Sequence, residues 1–167
     1  MSQTNQPTVR LVNPADSLGQ VLLLPQLTVQ LQDLIENSQR RSGLTISCHI
    51  ETAEGSIDLR VGKRTLEDRK EIPTVYIAGL YINPKHRRRG LMRAVIQQAQ
   101  RCATLYGHAL MIHEVTDRVA EQFLPRVGFQ KLEFSNPPSF YKTVDMMREE
   151  HAGLMDSFLG LTRVGLA

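Results

Sequence analysis

The stretch Thr74-Val75-Tyr76-Ile77-Ala78-Gly79-Leu80-Tyr81-Ile82, closed by Asn83-Pro84, constrains the fold more than any other part of the chain. Its residues are β-branched or aromatic on both alternating faces, which predicts a strand covered on both sides and central in a sheet. Gly79 inside it predicts a bulge or a close backbone approach. A basic run follows, Lys85, Arg87, Arg88 and Arg89, then Gly90 and an apolar stripe at helical spacing: Leu91, Met92, Val95, Ile96, Ala99, Cys102 and Ala103, with Gly107 as the stop. A helix N-terminus has unpaired N–H groups and partial positive charge, so it attracts phosphate, and a glycine there leaves the backbone bare. No Asp or Glu occurs between Ile72 and His113. A strand, a cationic glycine loop and a helix N-terminus together make a site for a pyrophosphate-bearing ligand.

The remaining elements alternate around this unit. Val9 to Val12 reads as a short strand, and Asn13 to Ser17 as turn and capping chemistry. Residues 26 to 41 carry Leu27, Leu31, Leu34 and Ile35 at helical spacing, with Gly43 as the stop. Thr45 to Glu51 and Ser56 to Val61 read as strands around Ala53-Glu54-Gly55, and Lys63 to Glu71 as a charged connection. Ala109 to Val115 reads as another buried strand. Asp117 is placed to cap a short helix. Phe129 to Phe134 and Phe140 to Val144 predict a hairpin around Asn136-Pro137-Pro138, and an amphipathic helix runs on from Asp145. Strands interleaved with helices give an α/β or α+β fold with a mixed sheet.

Composition excludes several classes. The chain has 167 residues, enough for one domain with its own core. The longest aliphatic run, Val21 to Leu24, ends at Pro25, far short of the ~20 residues of a membrane span. The first seven residues lack the cationic and apolar parts of a secretory signal. Cys48 and Cys102 stand far apart without metal-ligand companions, which argues against a disulfide scaffold or a zinc site and for a reducing cytoplasm.

Arg87-x-x-Gly90 with Arg93-Ala94, placed after a strand ending Leu80-Tyr81-Ile82-Asn83-Pro84, resembles the acetyl-CoA signature of the GCN5-related N-acetyltransferases. Downstream, Leu110 to Val115 followed by Ala120, Phe123 and Gly128-Phe129 is similar to the family's second block. The resemblance covers residues 74 to 134. It implies a mainly antiparallel mixed sheet flanked by helices, with the fourth and fifth strands splayed apart. With the residue patterns at either end, the chain is expected to divide into a polar tail over residues 1–8, an acetyltransferase domain over 9–144 and a helical extension over 145–167 docked on the domain or on a second subunit. Acetyl-CoA would lie along Leu80, Tyr81 and Ile82, with a backbone N–H at Leu80 or Tyr81 facing the developing oxyanion, and its pyrophosphate against Arg87, Arg88, Arg89, Gly90, Leu91, Met92 and Arg93.

Three of the family's usual positions differ, the first being Met92 where the phosphate loop commonly ends in Gly or Ala. Leu124 stands where a tyrosine acid is common, and Ala78 and Gly79 where a glutamate base is common. The catalytic candidates become Glu114, expected to be partly desolvated by Ile112 and Val115, and Tyr141 in the hairpin bordering the acceptor pocket. His113 and Glu114, as neighbours on a strand, are expected to face opposite ways. The implied function is transfer of acetyl from acetyl-CoA to a primary amine by direct attack in a ternary complex, without a metal. The rivals are a non-catalytic acyl-CoA-binding module and, on the strength of Lys85 to Arg89 alone, a basic nucleic-acid-binding domain.

Overall fold

The computed structural model describes residues 9–10, 22–42, 44–66 and 70–164, with side chains undescribed at 9, 10 and from 156 on. The expectations for residues 1–8 and 13–17, for Gly43 and for the rest of the Val9–Val12 strand lie outside the described residues.

Among the described residues, seven strands form one sheet, ordered β1-β2-β3-β4-β5-β7-β6. They are β1 (Val9–Arg10), β2 (Ile46–Thr52), β3 (Gly55–Thr65), β4 (Glu71–Ile82), β5 (Ala109–Ile112), β6 (Gln130–Lys131) and β7 (Phe140–Lys142). The helices are α1 (Leu23–Arg40), α2 (Leu91–Leu105), α3 (Arg118–Arg126) and α4 (Val144–Val164). The β1–β2 and β4–β5 pairs are parallel and the others antiparallel, so the sheet is mixed and mainly antiparallel.

The main core lies between one sheet face and α1 and α2. Leu23, Leu27, Leu31, Leu34 and Ile35 of α1 meet Val95, Ile96, Ala99, Cys102 and Ala103 of α2 over Ile57, Leu59, Val61, Val75, Ile77 and Leu110. Helix α4 joins this core through Met147, which is 1% exposed. Alternation along the strands sends the next residues the other way. Tyr76, Met111 and Tyr141, which are cross-strand neighbours, make a smaller cluster there with Leu66 and Ala109.

Three sequence expectations are corrected. The supposed connection Lys63 to Glu71 is shorter, because β3 runs on to Thr65 and β4 begins at Glu71. The fifth strand ends at Ile112 rather than Val115. The reason is the backbone of Glu114, whose φ of 46° is left-handed and cannot continue a strand. The hairpin strands shrink to two and three residues, because Phe134 is left-handed at φ 60° and α4 begins at Val144.

Candidate functional site

Strand β4 is irregular where Gly79 predicts it. Asp58 pairs with Gly79 but Leu59 with Ile77, so Ala78 is the extra residue of a bulge. On its other side β4 pairs with β5 only from Thr74 to Ile77. The last link is His113 N–H donating to the Ile77 carbonyl at 3.0 Å. From there β4 continues to Ile82 while β5 has ended, so the two strands part.

The peptide groups of the free edge can be assigned. Asn83 N–H donates to the Glu54 carbonyl at 2.8 Å, which turns Asn83, and by alternation Tyr81, toward β3. Leu80 and Ile82 therefore present their backbone to the opening. The Ile82 carbonyl is already bound by Arg87 Nε at 3.0 Å. The Leu80 and Ile82 N–H groups are donors facing the gap, so of the two expected residues, Leu80 and Tyr81, it is Leu80 whose N–H faces it.

The loop beyond β4 is a single 3₁₀ turn, Pro84–His86, capped by Asn83, whose side chain accepts from Lys85 N–H at 3.2 Å. Gly90 is the N-cap of α2, with φ 74° and no side-chain cap. A Cβ there would meet nothing within 4 Å, so the first turn of α2 opens on free space. Arg88 is also left-handed, at φ 61°. Arg87 is pinned by its bond to Ile82 and lies 5.9 Å from the Tyr81 ring. Arg88 and Arg89 are exposed, whereas Arg93 sits over the Phe123 ring at 5.5 Å. Leu91 and Met92 pack against the core, which leaves the backbone side of the turn clear. The structure thus brings together Leu80, Ile82 and the segment from Arg87 to Gly90, and it draws the Arg93 side chain toward α3.

Where β5 ends, the left-handed turn at Glu114 corrects the expectation that His113 and Glu114 face apart: His113 Nε2 lies 3.8 Å from Glu114 Oε1. It also corrects the expected desolvation, since the Glu114 side chain is 60% exposed. The turn is held by Glu114 N–H donating to Ser139 Oγ at 3.0 Å and Val115 N–H to the Pro138 carbonyl at 2.7 Å. Tyr141 is 2% exposed and its hydroxyl donates to Gln130 Oε1 at 2.9 Å, so it stands as a packed residue of the smaller cluster.

A half-open pocket of about 330 Å³ lies on that cluster's face, bordered by Arg64, Met111, His113, Glu114, Asn136 and Ser139. Sequence reasoning missed Arg64, because antiparallel pairing brings the end of β3 into a site otherwise built from residues 111 to 139. It also missed Asp58. That carboxylate lies over Gly79, with Oδ2 2.7 Å from where a Cβ would be, and Oδ1 is 2.6 Å from His49 Nδ1. The neighbouring strand puts an acid where β4 itself has none. Among the described residues, no group of three or more His, Cys, Asp or Glu side chains is arranged to hold a metal ion, and no helix is long and apolar enough to cross a membrane.

Comparison with known proteins gives one family: the profile described as the acetyltransferase (GNAT) family matches residues 45–129. No curated protein matches the chain. Among solved structures, similar folds include a mutant AtaT toxin bound to the C-terminus of the antitoxin AtaR and acetyl-CoA. That likeness has 18% identity and TM-score 0.49, covering 58% of this chain and 62% of that one. The same toxin with the antitoxin C-terminus alone gives 18% and 0.48, over 56% and 61%. A KacTA–DNA complex gives 15% and 0.46, over 75% and 86%. The chain thus spans about three fifths of the length of the two AtaT structures.

Proposed function

Because the chain belongs to the GNAT acetyltransferase family, we propose that it moves acetyl from acetyl-CoA to a primary amine by direct attack within a ternary complex. The observation that carries this reading is the parting of β4 and β5 beyond Ile77, at the sheet end where α2 begins uncapped at Gly90. A pantetheine arm laid against Leu80 would complete the free edge as an added strand does. The pyrophosphate would face the N–H groups of the first turn of α2, with Arg88 and Arg89 at its sides. The Leu80 N–H then points at the thioester carbonyl, whose oxygen gains charge as the amine attacks.

The acceptor enters by the pocket at His113 and Glu114. An alkylammonium has a pKa of about 10, so a proton must leave before nitrogen can attack. Glu114 is the acid at the mouth of the gap, and its carboxylate both attracts the ammonium and takes that proton, through a water where contact is not direct. Leu124 is buried in the core at 1% exposure, so the departing thiolate takes its proton from water or substrate. Two free, buried thiols suit a reducing compartment, and the cytoplasm is the proposed site of action.

Glu114→Gln is expected to lower kcat/KM by about 10²–10⁴ at neutral pH. The loss should shrink as pH rises and more amine arrives uncharged. Wild-type rates with an unchanged pH profile would remove Glu114 from the reaction. Acetyl-CoA binding without turnover of any amine would favour the non-catalytic module instead.

A further inference from the structure

We propose that the pocket beside Glu114 selects a small acceptor bearing a carboxylate as well as an amine, with Arg64 as its anion receptor. The inference rests on the acetyl-transfer reading and names the substrate class of that same site. Among the described residues, two buried side-chain polar atoms have no hydrogen-bond partner, Arg64 Nε and Tyr76 Oη. They belong to one contact, because the Arg64 guanidinium carbon lies 4.7 Å from the centroid of the Tyr76 ring. Buried polar groups are nearly always satisfied, so two orphans at one place call for an explanation. Arg64 Nε is a donor only and the Tyr76 hydroxyl both donates and accepts, so each carries a proton for which the protein supplies no acceptor.

The position suits recognition. Arg64 pairs across the sheet with Ile72, and its side chain reaches along β4 to Tyr76, next to the residue where β4 and β5 part. Contact with a fully buried ring holds the Arg64 head group in place before any ligand arrives. Arg64 borders the pocket and makes no ion pair with Glu114, which borders the same pocket. A donor-only group and an acceptor-only group thus share one cavity without neutralising each other. Their complement is a molecule of both charges, with its ammonium at Glu114 and its carboxylate on the planar guanidinium fork. A cavity of about 330 Å³ suits a small molecule.

The test compares common amino acids with their carboxamides as acetyl acceptors, on the full chain and on Arg64→Met, which keeps an apolar stem over Tyr76. The parent acids should exceed the amides in kcat/KM by about tenfold to a hundredfold, the worth of hydrogen bonds to a charged group. Arg64→Met should raise KM for the acids by a similar factor. Its kcat, its activity on the amides and its calorimetric affinity for acetyl-CoA should stay as in the wild type. Equal use of acids and amides, or an Arg64→Met enzyme with unchanged KM, would overturn the proposal. Turnover of neither class by a protein that binds acetyl-CoA would overturn the acetyl-transfer reading, and ligand binding then decides the pocket. Ligand-observed NMR with a mixture of N-acetyl amino acids reads the pocket without any transfer reaction. Binding by the wild type that Arg64→Met loses supports the site even if transfer fails, and equal or absent binding in both sinks it.

Discussion

Gly90 shows how one residue prepares a site without touching a ligand. Its φ of 74° sets the entry into α2, and the space its missing Cβ leaves is open. Aspartate tolerates the left-handed region better than most residues, so Gly90→Asp should fold while placing a carboxylate against the proposed pyrophosphate. Calorimetry on this variant is expected to give acetyl-CoA affinity at least about tenfold weaker, with a circular dichroism spectrum like the wild type. Unchanged affinity would move the phosphate site elsewhere. At this scale the loop was legible in the sequence, because glycine, arginine and helix periodicity are local signals. Arg64 and Asp58 were not, since nothing near either residue says which strand it will meet.

Elements carry the next level, and α4 shows how an extension becomes part of the domain. Lys142 of β7 has a side chain only 3% exposed, and its Nζ lies 2.7 Å from the Glu150 carboxylate on α4. Gln100 Oε1 accepts from the same Nζ at 3.2 Å, and the Phe129 ring lies 4.8 Å away. Glu150→Ala strands a buried ammonium and is expected to cost about 3 kcal/mol in urea unfolding, near the low end for a broken buried pair because Gln100 and Phe129 remain. Lys142→Met leaves a carboxylate that is 37% exposed and can be hydrated, so it should cost about 1 kcal/mol. The reverse order would mean that the pair does not anchor α4. The amphipathic pattern from Asp145 announces a helix but is silent on this anchor. The pairing of Lys142 with Glu150 depends on where β7 ends up, and the sheet order β5-β7-β6 is a tertiary outcome. Likewise Ala109 to Val115 reads as one apolar strand, and only the contacts of Ser139 and Pro138 break it at Glu114.

The whole molecule has an alkaline weakness written into its core. Burial, helped by the nearby Asp58 charge, pushes the Cys48 thiol up to about 11, and burial raises Cys102 as well. Both folded-state values lie above the unfolded ones, so the stability these thiols contribute is complete below the unfolded value, near 9, and is lost as pH rises through the folded one, about 11 for Cys48. For Cys48 that amounts to about 2–3 kcal/mol. Urea melts near pH 8 and near pH 11 should show a larger fall for wild type than for Cys48→Val, and equal falls would remove Cys48 from the account. The parted strands carry a different consequence for the protein in a crowded solution. A bare strand edge is a template on which another chain can add itself and begin an aggregate. Here the exposed edge offers two peptide units, at Leu80 and Ile82; Arg87 covers the second, and Pro84 stops the ladder two residues on. The gap is therefore long enough to welcome the thin arm of a small molecule and too short to recruit a foreign strand.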